Sequence, residues 1–294
     1  MLSIAQSENG YHCFEWTPTE KGPKVINFKF FKENNCTSIN DFEKVIFSRQ
    51  SQLKDQSNSL SVILNIQNVN ISSIKMDPDD RLSNIIKWYQ DKILNKEFLK
   101  QHEMFYYPLN PGYKSIHILI LSIRKKIKSN ITTLSKNKGY DLMYLSVDIF
   151  SAAILVKQVY KIKANQNMLV WKIEKNKTHC FVFYENDNLS SFLKFKLLKK
   201  TFKIITSIGS SKSIALLTNF ISHTLINNKK YESIDSTFVY QTKRDNRYIK
   251  NITDDNKLNI TLIDITGIFN SSKNNKYLCL PYVENGISLR GIDV

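Results

Sequence analysis

Two pairs of residues of metal-ligating types stand at matching places in the chain. His12-Cys13 and His179-Cys180 each lie within an apolar stretch, and histidine and cysteine are common zinc ligands. Adjacent side chains on a β-strand point to opposite faces, so each pair can offer only one ligand to a shared site. We therefore expect these side chains to pack inside sheets and expect no metal site.

Both pairs belong to a longer stretch that the chain contains twice. Residues 1–16 align without gaps on residues 168–183, with Met, Leu, Asn, His, Cys and Phe repeated. Each copy consists of an apolar strand, a short polar turn and a second apolar strand, a pattern that predicts a β-hairpin. A hairpin that opens each half of a chain indicates two lobes built from duplicated domains.

The composition of the chain indicates a globular protein. The 294 residues are 42% hydrophobic, which is enough to fill two cores. No apolar run of about 18 residues occurs, and the N-terminus lacks a basic region followed by an apolar core, so we expect neither a membrane span nor a signal peptide. The four cysteines are scattered, which argues against a zinc ribbon or a disulfide framework. The expected location is the cytoplasm.

The net charge of +16 raises the possibility of a nucleic-acid partner. Only six of the 42 basic residues are arginine, the residue that contacts phosphates and guanines bidentately. The excess of lysine fits a broad compositional bias and a solvated surface better than a dedicated nucleic-acid interface. A basic nucleic-acid-binding protein remains a third possible function.

Hydrophobic periodicity predicts mixed α/β lobes. Antiparallel strands followed by alternating strands and helices occur in both halves, an order that packs helices on sheets. Asp77 followed by Pro78 predicts a helix start. Strands are predicted at 24–31, 60–65, 69–76, 115–122, 142–147, 168–173, 178–184, 190–195, 236–241 and 259–264. Helices are predicted around 39–46, 77–93, 127–138, 149–160 and 214–221.

Four stretches, in order along the chain, carry a resemblance to a known family. They are Leu2-Ser-Ile-Ala, Asp77 to Tyr89, Ser122 to Ala153, and Asn285-Gly-Ile-Ser-Leu-Arg-Gly291. Together they resemble PilM, the cytoplasmic actin-like protein of the type IV pilus assembly platform, which is related to FtsA and to the cytoplasmic part of the type II secretion protein GspL.

The resemblance implies a two-lobed actin-like ATPase (ribonuclease H-like) α/β fold, in which each lobe is a mixed sheet with flanking helices. Lobe I would comprise residues 1–150, with an inserted subdomain at about 66–112, and would be completed by residues 276–294. Lobe II would comprise residues 151–275.

The resemblance also implies where a nucleotide would bind. An actin-like site holds phosphates with backbone N–H groups of two glycine-containing hairpin turns, and an acidic residue near each turn holds magnesium. Here Ala5 stands where the family usually has Asp, and Lys172 aligns with it in the second copy. The vestigial phosphate turns would contain Ser7, Asn9, Gly10, Lys175 and Lys177.

These turns lack most of the glycines and acids that phosphate and magnesium require. We expect no catalytic residues, no ATPase activity, and a nucleotide site that is weak or absent, so that ATP with magnesium is not an expected cofactor. The alternative is an active ATP-binding ATPase with atypical turns, in which Glu8 or Glu174 replaces the metal-binding acid.

The inserted subdomain is the remaining candidate surface. In the PilM family, a groove beside it receives the cytoplasmic N-terminus of the inner-membrane protein PilN as an extended peptide. Trp88, Tyr89, Tyr106 and Tyr107 could line such a groove or pack in the core. The predicted function is a non-catalytic scaffold, held at the inner membrane through such a partner; self-association remains open.

Overall fold

The computed structural model describes residues 1–7, 10–19, 22–32, 58–77, 79–109, 116–174, 177–227, 229, 231, 233–241, 260–263 and 280–289. Their strands form three sheets, which together with the helices make up an α/β protein.

The first sheet has the strand order β3-β2-β1-β4-β8. β1, β2 and β3 are antiparallel neighbours, whereas β1, β4 and β8 run parallel. The strands span Leu2–Ser7 (β1), Gly10–Thr19 (β2), Gly22–Lys32 (β3), Ser59–Leu64 (β4) and Asp141–Val147 (β8).

The second sheet repeats this plan and has one strand more. Its order is β12-β11-β10-β9-β13-β14, antiparallel from β12 to β9 and parallel from β9 to β14. The strands span Met168–Ile173 (β9), Thr178–Glu185 (β10), Asn188–Leu197 (β11), Phe202–Gly209 (β12), Ser236–Gln241 (β13) and Ile260–Leu262 (β14). The predicted duplication is therefore a duplication of sheet topology.

A third sheet lies between β4 and β8 in sequence. It is antiparallel, in the order β5-β7-β6, and consists of Asn70–Met76 (β5), His102–Leu109 (β6) and Ile116–Arg124 (β7). Leu82–Lys92 (α1) covers one face and packs Leu82, Ile85 and Tyr89 against it, as the period of its apolar residues predicts. A short helix, Lys96–Gln101 (α2), leads into β6.

The remaining helical elements pack on the two larger sheets. They are a 3₁₀ turn at Ile66–Asn68, Lys125–Asn137 (α3), Asp148–Val159 (α4), Ser211–Phe220 (α5), a π-helical extension of α5 at Ile221–Ile226, and the 3₁₀ closing segment Leu280–Leu289. No helix among the described residues is both long enough and apolar enough to span a membrane.

The main hydrophobic core is continuous between the first two sheets. β1 and β9 are buried on both faces, so that even their polar residues, such as Ser3, Gln6 and Lys172, lie inside the protein. α4 packs between the sheets through Ala152, Ala153 and neighbouring buried residues. A second core lies between the lobe II sheet and α5.

Most predicted elements agree with the structure to within about two residues at each end, and the larger differences concern one helix start and two strands. α1 begins at Leu82, and ahead of it Asp80 N–H donates to Asp77 O (3.1 Å) in a turn, so the predicted start at Asp77 is wrong. The pattern did not predict β6 or β12. The helix predicted at 39–46 lies outside the described residues.

Candidate functional site

The first hairpin turn is held by its own residues. Ser7 pairs with Gly10 across a two-residue connection, and Ser7 Oγ donates to Gly10 O at 3.2 Å. A Cβ on Gly10 would lie 1.9 Å from Phe31 O, so the approach of β3 alone requires glycine here. The close approach of β3 therefore explains glycine at position 10 without any role in binding an anion. Asn9 lies outside the described residues.

The second hairpin turn is one residue longer than the first. Glu174 N–H donates to Thr178 O at 2.9 Å, which leaves three residues in the connection. Lys177 is exposed, has φ +61°, and donates its backbone N–H to Glu174 O at 3.2 Å. This backbone donor is thus used within the turn. Lys175 lies outside the described residues.

Lys172 is the most unusual side chain near these turns. It lies on β9, beside Cys180 of β10 and Tyr240 of β13, and its side chain is completely buried. Its ammonium donates a hydrogen bond to Asp148 Oδ2, and lies 3.2 Å from Glu284 Oε1 and 4.0 Å from Glu174 Oε1. We call these four side chains the Lys172 cluster.

The three carboxylates of the Lys172 cluster come from three different elements. Asp148 is the first residue of α4, Glu174 follows β9, and Glu284 lies in the closing segment. The cluster therefore ties the lobe II sheet to the helix between the lobes and to the closing segment.

Backbone and amide donors complete the cluster. Asp148 accepts from Ile66 N–H at 3.0 Å and from Ile149 N–H at 2.6 Å. Gln67 Nε2 donates to Glu174 Oε2 at 3.0 Å, so the 3₁₀ turn after β4 is joined to lobe II. These bonds satisfy both oxygens of Asp148 and Oε2 of Glu174, whereas among the described residues Glu174 Oε1 and Glu284 Oε1 are buried and accept no hydrogen bond.

The charges of the cluster are strongly coupled. Burial alone would lower the pKa of Lys172, but Asp148, Glu284 and Glu174 raise it above its ordinary value. Burial raises the pKa of Glu284 to about 8, although Lys172 opposes this shift, and burial also raises the pKa of Glu174. Three carboxyl groups around one ammonium favour retention of a proton at neutral pH.

This arrangement is poorly suited to nucleotide chemistry. The ammonium lies among carboxylates that could otherwise face a divalent cation, and its charge is already paired. A phosphate brought to this place would add negative charge to a cluster that already has an excess of carboxyl groups. Among the described residues, no group of three or more His, Cys, Asp or Glu side chains could hold a metal ion.

The structure gives the two His-Cys pairs packing environments. The His12 ring stacks on Phe30 with centroids 4.6 Å apart, and Trp171 Nε1 donates to His179 Nδ1 at 3.0 Å. Burial lowers the pKa of His179 to about 4, so its ring is neutral near pH 7. Cys13 and Cys180 are both buried. All four side chains are therefore packed within the two larger sheets.

The four aromatic candidates of the inserted subdomain do not share one face. Tyr89 of α1 is buried against the third sheet, with its hydroxyl 3.4 Å from Ser72 Oγ. The Tyr106 hydroxyl accepts a hydrogen bond from Gln90 Nε2 at 2.9 Å. Trp88 and Tyr107 are 51% and 46% exposed. Tyr106 and Tyr107 are adjacent on β6 and so point to opposite faces. Two of the four thus belong to the packing under α1, and two are accessible.

The Lys172 cluster was not predicted as a unit, although its sequence contains a signal. Lys172 interrupts the apolar strand Met168-Leu-Val-Trp-Lys-Ile173. A lysine within a strand buried on both faces requires acidic partners, because lysine is almost never fully buried unless paired. The alignment of Lys172 with Ala5 indicated a lost acid and did not indicate the ion cluster.

Comparisons with known proteins support the fold. No family profile and no curated protein matches the sequence. The structure is similar to that of the PilM-PilN type IV pilus biogenesis complex, with a TM-score of 0.66 and 10% identity over 99% of this chain and 98% of that chain.

Two further solved structures are similar. One is a Bacteroides thetaiotaomicron protein with an actin-like ATPase fold and unknown function, with a TM-score of 0.50 and 11% identity over 92% of this chain and 91% of that chain. The cytoplasmic domain of EpsL, from the type II secretion system of Vibrio cholerae, has a TM-score of 0.43 and 11% identity over 82% of this chain and 81% of that chain. The first two similarities, together with the repeated sheet topology, confirm the predicted actin-like ATPase fold.

Proposed function

We propose that this chain is a non-catalytic actin-like scaffold that docks an inner-membrane partner in a type IV pilus or type II secretion-like assembly. The observation that carries the proposal is the Lys172 cluster, a buried set of paired charges close to the second of the two hairpin turns. The similarity in fold to PilM, along nearly the whole chain, supplies the biological setting.

The cost of opening the cluster supports the proposed absence of catalysis. Metal binding by Asp148, Glu174 or Glu284 would require Lys172 to leave its position among them. An ammonium stripped of its partners inside a protein costs about 3–5 kcal/mol. In the described part of the two turns, Ser7 Oγ and the backbone N–H of Lys177 already donate hydrogen bonds within the turns.

The docking function is inferred from the inserted subdomain and from a relative. PilM is solved in complex with PilN, whose counterpart here would be a bitopic inner-membrane protein. We infer that the short cytoplasmic N-terminal peptide of that protein binds beside the three-stranded sheet, where Trp88 and Tyr107 are exposed. Exposed aromatic side chains are typical anchors of peptide interfaces. The chain would then be cytoplasmic and peripheral to the inner membrane.

A peptide titration tests this proposal. The purified chain is titrated with the labelled cytoplasmic N-terminal peptide of a bitopic membrane protein encoded beside it. Trp88 and Tyr107 lie on opposite sides of the third sheet, so the alanine substitution at whichever of them anchors the peptide should weaken binding by about tenfold. Met143→Ala is the matched control, because Met143 is also exposed, at 53%, but lies on β8 of the first sheet.

Two results would contradict the docking proposal. The first is a failure of the wild-type chain to bind any such peptide. The second is equal affinity of the Trp88, Tyr107 and Met143 variants, which would move the site away from the inserted subdomain.

A further inference from the structure

One long stretch of the chain is free of acidic residues. Residues 188–231 contain eight lysines and neither aspartate nor glutamate. The whole chain has 26 acidic residues in 294, so about four would be expected in these 44 positions at the average content. The stretch begins with the β11–β12 hairpin, at the edge of the lobe II sheet. Five of the eight lysines lie on this hairpin, at positions 194, 196, 199, 200 and 203.

The hairpin places like charges directly opposite each other. Lys196 pairs with Lys203 in the β11–β12 register, so their side chains share one face, and both are exposed. Like charges in such a cross-strand pair are destabilising. Lys199 and Lys200 add two exposed charges in the connecting turn, which Leu198 N–H closes by donating to Thr201 O at 2.8 Å.

No acidic side chain in the described part of the chain pairs with these four lysines. The repulsion within the hairpin is thus left uncompensated there. An anionic partner would relieve it.

Apolar side chains are exposed on the same hairpin. Leu198 is 46% exposed, Ile204 39% and Ile205 51%. Ile205 is the extra residue of a β-bulge, because the register passes from Thr206 opposite Lys194 to Ile204 opposite Phe195. Bulges and lysines on an edge strand discourage the addition of another strand. The hairpin is therefore a poor template for an extended peptide.

We propose that the β11–β12 hairpin is a membrane-contact surface that binds anionic phospholipid headgroups and inserts Leu198, Ile204 and Ile205 at the lipid interface. Lysines beside exposed apolar residues match the surface of an anionic leaflet. The stretch contains no arginine, which fixed-geometry recognition of carboxylates or phosphates would favour. This contact is independent of the proposed peptide docking.

Vesicle binding tests the proposal without any partner protein. The purified chain is sedimented with vesicles of phosphatidylcholine alone, or of phosphatidylcholine with about one third phosphatidylglycerol. We expect binding to the anionic vesicles only, and weaker binding as salt screens the charges. Failure to bind the anionic vesicles would overturn the proposal, and binding of polyglutamate under the same conditions would then assign the surface to an acidic protein.

Two charge-matched variants locate the surface. In the hairpin variant, Lys196, Lys199, Lys200 and Lys203 are changed to Ser. In the control variant, the exposed Lys126, Lys136, Lys161 and Lys163 are changed to Ser. Each loses four charges, from +16 to +12. The hairpin variant should lose at least about tenfold in vesicle partitioning, while the control stays within about twofold.

Equal losses in the two variants would overturn the proposal, because total charge would then explain the binding. If the hairpin variant fails to fold by circular dichroism, the turn pair Lys199→Ser and Lys200→Ser replaces it, with Lys161→Ser and Lys163→Ser as its control.

A Leu198→Ser, Ile205→Ser double variant should also lose the part of the binding that persists at high salt. Unchanged binding at high salt would contradict the insertion of these side chains.

Discussion

Lys172 is a buried charge that the fold accommodates with partners from three other elements. Its position in the second hairpin aligns with Ala5 in the first, and both strands are buried. Ala5 is accommodated in the sheet without a partner. Lys172 is accommodated by carboxylates from α4, from the turn after β9 and from the closing segment. Under the proposed function, the charges that hold these elements together are not available to a nucleotide.

The first prediction at the residue scale concerns the ammonium itself. Lys172→Met keeps the length of the side chain but leaves three buried carboxyl groups without their cation. We expect a loss of about 3–5 kcal/mol in the free energy of unfolding, measured by urea denaturation at pH 7. Lys177→Met, at an exposed position in the neighbouring turn, should change it by less than about 0.5 kcal/mol. Equal effects of the two substitutions would refute the structural role of the cluster.

A second prediction follows from the raised pKa of Glu284. The folded state raises it from 4.5 to about 8. The folded protein thus binds this proton more tightly than the unfolded chain, so the stabilisation is full below about pH 4.5 and is lost as the pH rises to about 8. Glu284→Gln removes this dependence. Relative to wild type, the variant should therefore gain stability between pH 5 and about 8.5.

Denaturation of both proteins at the two pH values provides the measurement. The lowered pKa of His179 has the opposite effect as the pH falls below 6.5, but it is common to both proteins and cancels in the difference. Parallel pH profiles for wild type and Glu284→Gln would show that Glu284 does not titrate in this range.

At the scale of elements, the repeat predicted the hairpins but not their registers. The strands 168–173 and 236–241 agree with the structure at both ends. The turn in the second copy is one residue longer than in the first, which the alignment without gaps does not show. As a result, His12 lies opposite Ala5, whereas His179 lies opposite Ile173 and not opposite Lys172, the residue aligned with Ala5. Register depends on turn length and on which face is buried, and the alignment fixes neither. β12 was missed because most of its residues are at least partly exposed, so it lacks a continuous apolar run.

The closing segment provides the prediction at this scale. A Cβ on Gly286 would lie 2.5 Å from both Leu155 Cβ and Ser151 O of α4, and 3.0 Å from Leu155 N. Gly286→Ala must therefore displace the segment that carries Glu284, and should cost about 1–3 kcal/mol of stability. Gly139→Ala is the control, because nothing lies within 4 Å of its Cβ and only its φ of +73° opposes alanine. That control should lose about 1 kcal/mol, as judged from thermal unfolding.

The stability of Gly286→Ala tests whether the closing segment packs tightly on α4, and Gly139→Ala shows how much an alanine costs where no atom is close. If Gly286→Ala is as stable as wild type, the segment does not pack tightly on α4.

At the scale of the whole molecule, the fold was predictable and the site was not. The order of strands and helices, repeated in the two halves, was sufficient for the actin-like architecture. The Lys172 cluster joins Asp148, Lys172, Glu174 and Glu284, which are separated in sequence by up to 136 positions. Only the three-dimensional structure brings such distant charges together. Trp88 and Tyr107 are accessible, as a docking surface requires, but their role in binding stays a prediction.

The direct test of a retained actin-like fold without nucleotide chemistry is calorimetric titration of the purified chain with Mg-ATP at millimolar concentration. The Lys172 cluster predicts no saturable heat, because its ammonium occupies the place of a cation and its carboxyl groups repel phosphate. Saturable heat that is abolished by removal of magnesium would contradict the account. It would show instead that the chain is an actin-like ATP-binding protein with atypical phosphate turns.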